Sequence, residues 1–129
     1  MKFHHIGIVV SELEPVVRFY GAIGYHQSQV FADSIQKVEI VLMDRLGEPL
    51  IELVMPSCHE SPAYGWLKRI KSGPYHTCYE VLAIEPAVDA LREFGFVPVS
   101  ELSPAIAFSG RRVVFLWGQG IGLIELLEF

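Results

Sequence analysis

The sequence predicts an α+β fold built from two tandem βαβββ modules, and three observations carry that expectation. Residues 3–25, FHHIGIVVSELEPVVRFYGAIGY, recur without a gap as residues 74–96, PYHTCYEVLAIEPAVDALREFGF. His5 falls on His76, Val10 on Val81, Glu14 on Glu85, Pro15 on Pro86, Val17 on Val88 and Gly24 on Gly95. The tetrapeptide LIEL at 50–53 then returns at 123–126. An internal repeat decides the architecture before any single element does. The third observation is size: 129 residues, 51% hydrophobic and 19% charged, suffice for one packed domain and exclude disorder. The chain reads as a single domain, with module 1 at 1–56, a connector at 57–73 and module 2 at 74–129.

Each module shows the same order of signals. Residues 3–10 alternate and are β-branched, which predicts a strand. Ser11 stands where an N-cap would, with Glu14 three residues on as its capping-box partner. Leu13, Val16, Val17 and Tyr20 mark one face of a helix that Gly21 and Gly24 end. Strands follow over 27–31, 37–43 and 50–54, the last two joined by the turn-like DRLGEP. The second copy gives a strand at 75–81, a helix at 85–94, and strands at 97–101, 112–117 and 122–128. In the connector, Ser61-Pro62 predicts the start of a two-turn helix over 63–70.

Composition narrows the function. The formal charge of −5 and pI near 5.5 oppose nucleic-acid binding, because phosphate backbones repel an acidic chain. Mean hydropathy is positive, +0.36, yet charges interrupt every apolar run before the roughly 18–20 residues a membrane span needs. The N-terminal MKFHHIGIVV carries two histidines and does not read as a signal peptide. Cys58 and Cys78 form no CxxC pattern, which argues against a disulfide framework and a thiolate zinc site. A cytoplasmic protein that binds neither membrane nor nucleic acid is expected.

The repeat pairs His5 with His76 on the first strand of each module and Glu52 with Glu125 on the last. If all four point inward, they offer two imidazoles and two carboxylates, a donor set for Mn, Co, Ni, Fe(II), Zn or Mg. Four protein ligands on an octahedral ion leave two positions for substrate. Taken singly, a strand histidine is ordinarily a hydrogen-bonded core or surface residue, and a strand Glu faces solvent. A carboxylate inside the apolar run LIEL is harder to dismiss, since burying it without a partner is costly. His4 competes with His5, and the repeat register favours His5. His26 and His59 have no counterpart in the other copy and read as surface residues.

The pattern HIGIVV…FY…GY, then LIEL, YHTCYEV…LREFGF and GLIELLE resembles the vicinal oxygen chelate superfamily over nearly the whole chain. That superfamily includes glyoxalase I, bleomycin-resistance proteins, extradiol dioxygenases and methylmalonyl-CoA epimerase. The resemblance implies paired βαβββ modules whose curved, partly closed mixed sheet surrounds a divalent metal, with His5, Glu52, His76 and Glu125 as ligands. Within it, IELVMPSCHESPAYGWLKRIKSGPYHTCYEV is most similar to the methylmalonyl-CoA epimerases. Tyr75 stands where those epimerases usually carry the first of two histidines, and Trp117-Gly118 where they often carry His-Pro.

An epimerase-like isomerase would act through an enolate on a 2-substituted acyl thioester or related carbonyl compound. By analogy with the superfamily, Glu125 would be both ligand and base. Glu39, on KVEIVLM, is the candidate second base, with a register uncertain by one residue. Glu80, four residues beyond His76, is expected on the same face. Arg111 and Arg112, with Lys68, Arg69 and Lys71, are candidates for holding coenzyme A phosphates. Cys78 reads as a small core thiol; Tyr64, Trp66 and Trp117 are candidate pocket or core residues. A homodimer is expected by resemblance. The alternatives are a glyoxalase I-like lyase with the same donor set and a metal-free binding or resistance protein. An extradiol dioxygenase, with two His and one carboxylate, fits the four ligands less well.

Overall fold

The computed structural model describes all 129 residues. They fall into two compact units, His5–Tyr75 and a second formed by His76–Phe129 with Met1–His4.

In the first unit, β1 (Lys2–Val9, shared with the second unit at its first residues) runs parallel to β4 (Leu50–Pro56). β3 (Val38–Asp44) lies antiparallel to β4, and β2 (His26–Asp33) antiparallel to β3. Helix α1 (Leu13–Ala22) covers one face of this sheet. Its expected stripe, Leu13, Val16, Val17 and Tyr20, packs on a core of Ile8, Val10, Val41, Met43, Ile51 and Leu53. The expected capping box does not form: Glu12 is the N-cap and no side chain caps the helix. The helix begins one residue later than Ser11 requires. At its other end Gly24 takes φ +108, and the Arg45 guanidinium lies 3.1 Å from where a Cβ would stand. That guanidinium donates to the Ile23 carbonyl at 2.6 Å, a cation placed at the negative end of the helix. Helix α2 (Pro62–Ile70) starts as its sequence predicts, with the Ser61 hydroxyl accepting from the Ala63 N–H.

The second unit repeats the plan with one addition. β5 (Gly73–Val81, its first three residues belonging to the first unit) runs parallel to β9 (Gly122–Glu128), β8 (Arg111–Gly118) is antiparallel to β9, and β6 (Phe96–Pro98) is antiparallel to β8. Helix α3 (Ile84–Arg92) seats Ile84 and Val88 on Val81, Phe96, Val114, Leu116, Ile124 and Leu126. The expected strand at 97–101 is only Phe96–Pro98. A short strand β7 (Ser103–Ala105) and a 3-10 turn (Ile106–Phe108) follow it, and β7 pairs with the outer part of β8. α3 has no capping side chain at its N-cap, Ala83; instead the Glu128 carboxylate accepts from the Ile84 N–H at 3.0 Å. Arg112 bridges Glu128 and Glu85, and this holds both carboxyls below the usual range and the guanidinium above its own.

Candidate metal centre

Each unit places one of the predicted histidines beside one of the predicted glutamates, and each does so by the same register. Along β1 and β4, Gly7 lies across from Glu52 and His5 across from Leu50. Along β5 and β9, Cys78 lies across from Glu125 and His76 across from Leu123. Cross-strand partners share a face and residues two apart along a strand share it too. The histidine and glutamate are therefore diagonal neighbours, separated by a small residue at the intervening position. His5 Nε2 stands 3.6 Å from Glu52 Oε1, and His76 Nε2 stands 3.0 Å from Glu125 Oε2. Two ligands bound at about 2.0–2.2 Å to one ion lie roughly 2.8–3.6 Å apart, from right-angle to tetrahedral arrangement, so the two pairs, at 3.6 and 3.0 Å, match an edge of a coordination shell.

Burial sets these residues apart from ordinary strand polar groups. His5, Glu52, His76 and Glu125 are 0–5% exposed. Carboxylates removed from water at that depth are costly unless a cation or hydrogen bonds compensate. Phe115, across from Glu125, sets its ring at right angles to His76 with 5.2 Å between centroids, fixing the plane of the imidazole.

Several sequence expectations find a different place. Glu39 is not on the face of its module that carries Glu52. Leu42 lies across from Glu52 and Ile40 across from Val54, so Glu39, across from Met55, has the opposite parity. It shares the face that Val41 and Met43 use to meet α1. The one-residue uncertainty of register is thereby resolved against it. Glu80 does share the face of His76 and Glu125, but Arg111 Nη2 donates to its carboxylate at 2.5 Å. Arg111 also donates to the Glu128 carbonyl, and Arg112 is held by Glu85 and Glu128. The adjacent arginines are thus neutralised within their own module and make poor phosphate clamps. Lys68, Arg69 and Lys71 sit exposed at the end of α2, with the Arg69 guanidinium 5.4 Å above the Trp66 ring. His59 is exposed and stacks on Tyr64, and His26 is exposed on β2. Cys78 is fully buried.

The glyoxalase/bleomycin resistance protein/dioxygenase superfamily profile matches residues 4–115. The chain belongs to that superfamily. Human mitochondrial methylmalonyl-CoA epimerase is 32% identical over 129 residues, covering 97% of this chain and 72% of that protein. The ethylmalonyl-CoA/methylmalonyl-CoA epimerase of Cereibacter sphaeroides is 30% identical, covering 97% and 96%. A hypothetical protein of Bacillus halodurans superimposes with a TM-score of 0.86 at 29% identity, covering 99% of this chain and 94% of that one. Methylmalonyl-CoA epimerase from Mycobacterium tuberculosis gives 0.85 at 23% identity, covering 98% and 87%, a likeness of fold. As a glyoxalase-superfamily member related to epimerases along nearly its whole length, the protein is an enzyme of the isomerase kind. No helix is long and apolar enough to cross a membrane.

Proposed function

We propose that His5, Glu52, His76 and Glu125 together hold one divalent cation, and that the protein moves the α-hydrogen of an acyl-coenzyme A thioester, as a methylmalonyl-CoA epimerase does. The observation that carries this reading is one buried His–Glu pair built twice, by the same register, in the two copies of a duplicated module. The donors, two imidazoles and two carboxylates, suit Co, Mn, Ni, Zn, Fe(II) or Mg and leave room for two substrate oxygens. Such a cation supplies positive charge where negative charge develops on the substrate oxygens during proton removal.

The chain's own residues carry the proton. Glu125 takes it from the α-carbon, and the C–H electron pair passes into the adjacent carbonyl to give an enolate. Epimerisation needs a proton returned to the other face. The duplicated module supplies a second carboxyl in Glu52, whereas Glu39 has the wrong parity. His76, held edge-on by Phe115, keeps Glu125 in place. A homodimer in the cytoplasm completes the reading, with size-exclusion chromatography as its first check.

The test is hydrogen exchange in D2O on methylmalonyl-CoA, with protein stripped of metal and reloaded with cobalt or manganese. Exchange that depends on the ion and falls at least about 100-fold in Glu125→Gln is expected, the scale of losing a general base. A protein that retains no divalent ion after reloading, with His76→Ala and Glu125→Gln behaving as wild type, overturns the reading. Turnover of a hemithioacetal in place of the thioester reassigns the substrate to the glyoxalase I class.

A further inference from the structure

Resting on that isomerase reading and deepening it, we propose that Trp117 is the wall that limits the size of the α-substituent this enzyme accepts. Phe115 lies across from Glu125, and Trp117 lies across from Leu123, itself the partner of His76. The indole therefore stands on the face that carries the buried pair, diagonal to Glu125 at about 7–8 Å between backbones. A row of apolar residues runs from Phe115, whose ring meets His76, through Trp117 to Val97 on β6, which lies across from Trp117 on its other side.

Exposure changes abruptly along this row. His76 and Glu125 are 4% and 2% exposed, whereas Trp117 is 37% and Val97 50% exposed. Partly exposed apolar side chains beside a buried ionisable pair match the make-up of a small-molecule site, where apolar walls flank a few convergent polar groups. The two modules also differ at this position. Trp117 lies two residues beyond Phe115, the partner of Glu125; the matching residue of module 1, two beyond the Glu52 partner Leu42, is Asp44. Asp44 is exposed and lies across from His26 on β2. The reacting carbon of a substituted malonyl thioester bears two unlike groups, and module 2 presents an apolar wall where module 1 has a polar pair. The apolar group packs on Trp117.

Two measurements on the metal-loaded full chain test this. The first compares kcat/KM for α-hydrogen exchange on methylmalonyl-CoA and on the bulkier 2-benzylmalonyl-CoA. Trp117→Ala is expected to shift that ratio at least 10-fold toward the benzyl substrate, with Trp117→Phe between it and wild type. The second uses Trp66→Phe, which leaves Trp117 as the only tryptophan of the two in the chain. Its emission is expected to shift to shorter wavelength as propionyl-CoA saturates the protein. If both substrates lose activity in parallel, or if propionyl-CoA binds by calorimetry without moving the emission, the wall assignment falls and the isomerase reading stands. A wild-type protein that neither binds nor exchanges any of these thioesters overturns both.

Discussion

Glu39→Gln is expected to leave α-hydrogen exchange within about twofold of wild type, because strand parity turns that carboxylate toward α1 and away from Glu52. Exchange rates by mass spectrometry in D2O check it, and a 100-fold loss would restore Glu39 as a base. The Arg112 network makes a second prediction. Its guanidinium holds Glu85 and Glu128 below the ordinary Glu value of 4.5. Carboxyls with depressed folded-state values stabilise the fold fully above their unfolded value, and that stabilisation is lost as pH falls through the folded one. Arg112→Ala should therefore lower stability near neutral pH and show a shallower loss between about pH 5 and 3. Urea midpoints measured across that range decide it; parallel curves for the two proteins would refute the linkage.

At the scale of elements, β6 and β8 meet at a point that tolerates no side chain. Phe96 lies across from Gly118, and a Cβ there would stand 2.6 Å from the Phe96 ring. The ring is buried in the module's core and cannot swing aside. Gly118→Ala should cost about 1–3 kcal/mol by overpacking, and Phe96→Leu in the same chain should return part of that. Denaturant titration of the four proteins of that cycle measures both. These elements also show what the sequence made legible. The strands bearing His5, Glu52, His76 and Glu125 were visible because duplication fixes their register against one another, and parity then assigns their face. Glu39 has no partner in the repeat, so nothing in the sequence chose between two faces one residue apart. The cap of α3 was hidden for another reason: Glu128 lies 44 residues from Ile84, beyond any local pattern. Strand β7 belongs to module 2 alone, and a short Ser-Pro-Ala segment carries no alternation from which to read a strand. Trp117 was legible only as an aromatic; its place beside the buried pair needed the β8–β9 register.

For the whole molecule, the proposed sharing of one ion by both modules makes stoichiometry decisive. One divalent ion per chain is expected by elemental analysis after reloading, and His5→Ala should lose it as readily as His76→Ala. Two ions per chain, each lost with its own histidine, would mean that each pair works alone. Because an ion bound only by the folded chain stabilises it, chelation should lower the melting temperature, with about 2.7 kcal/mol at stake at 100 times Kd.

The small residues across from the two glutamates, Gly7 and Cys78, bear on how such a chain can age. Gly7 has no side chain and Cys78 only one buried thiol, so neither puts bulk beside the carboxylate it faces. A descendant that kept both histidines and both glutamates, but filled either position with a leucine-sized group, would retain every letter of the ligand set and lose the space in which it closes.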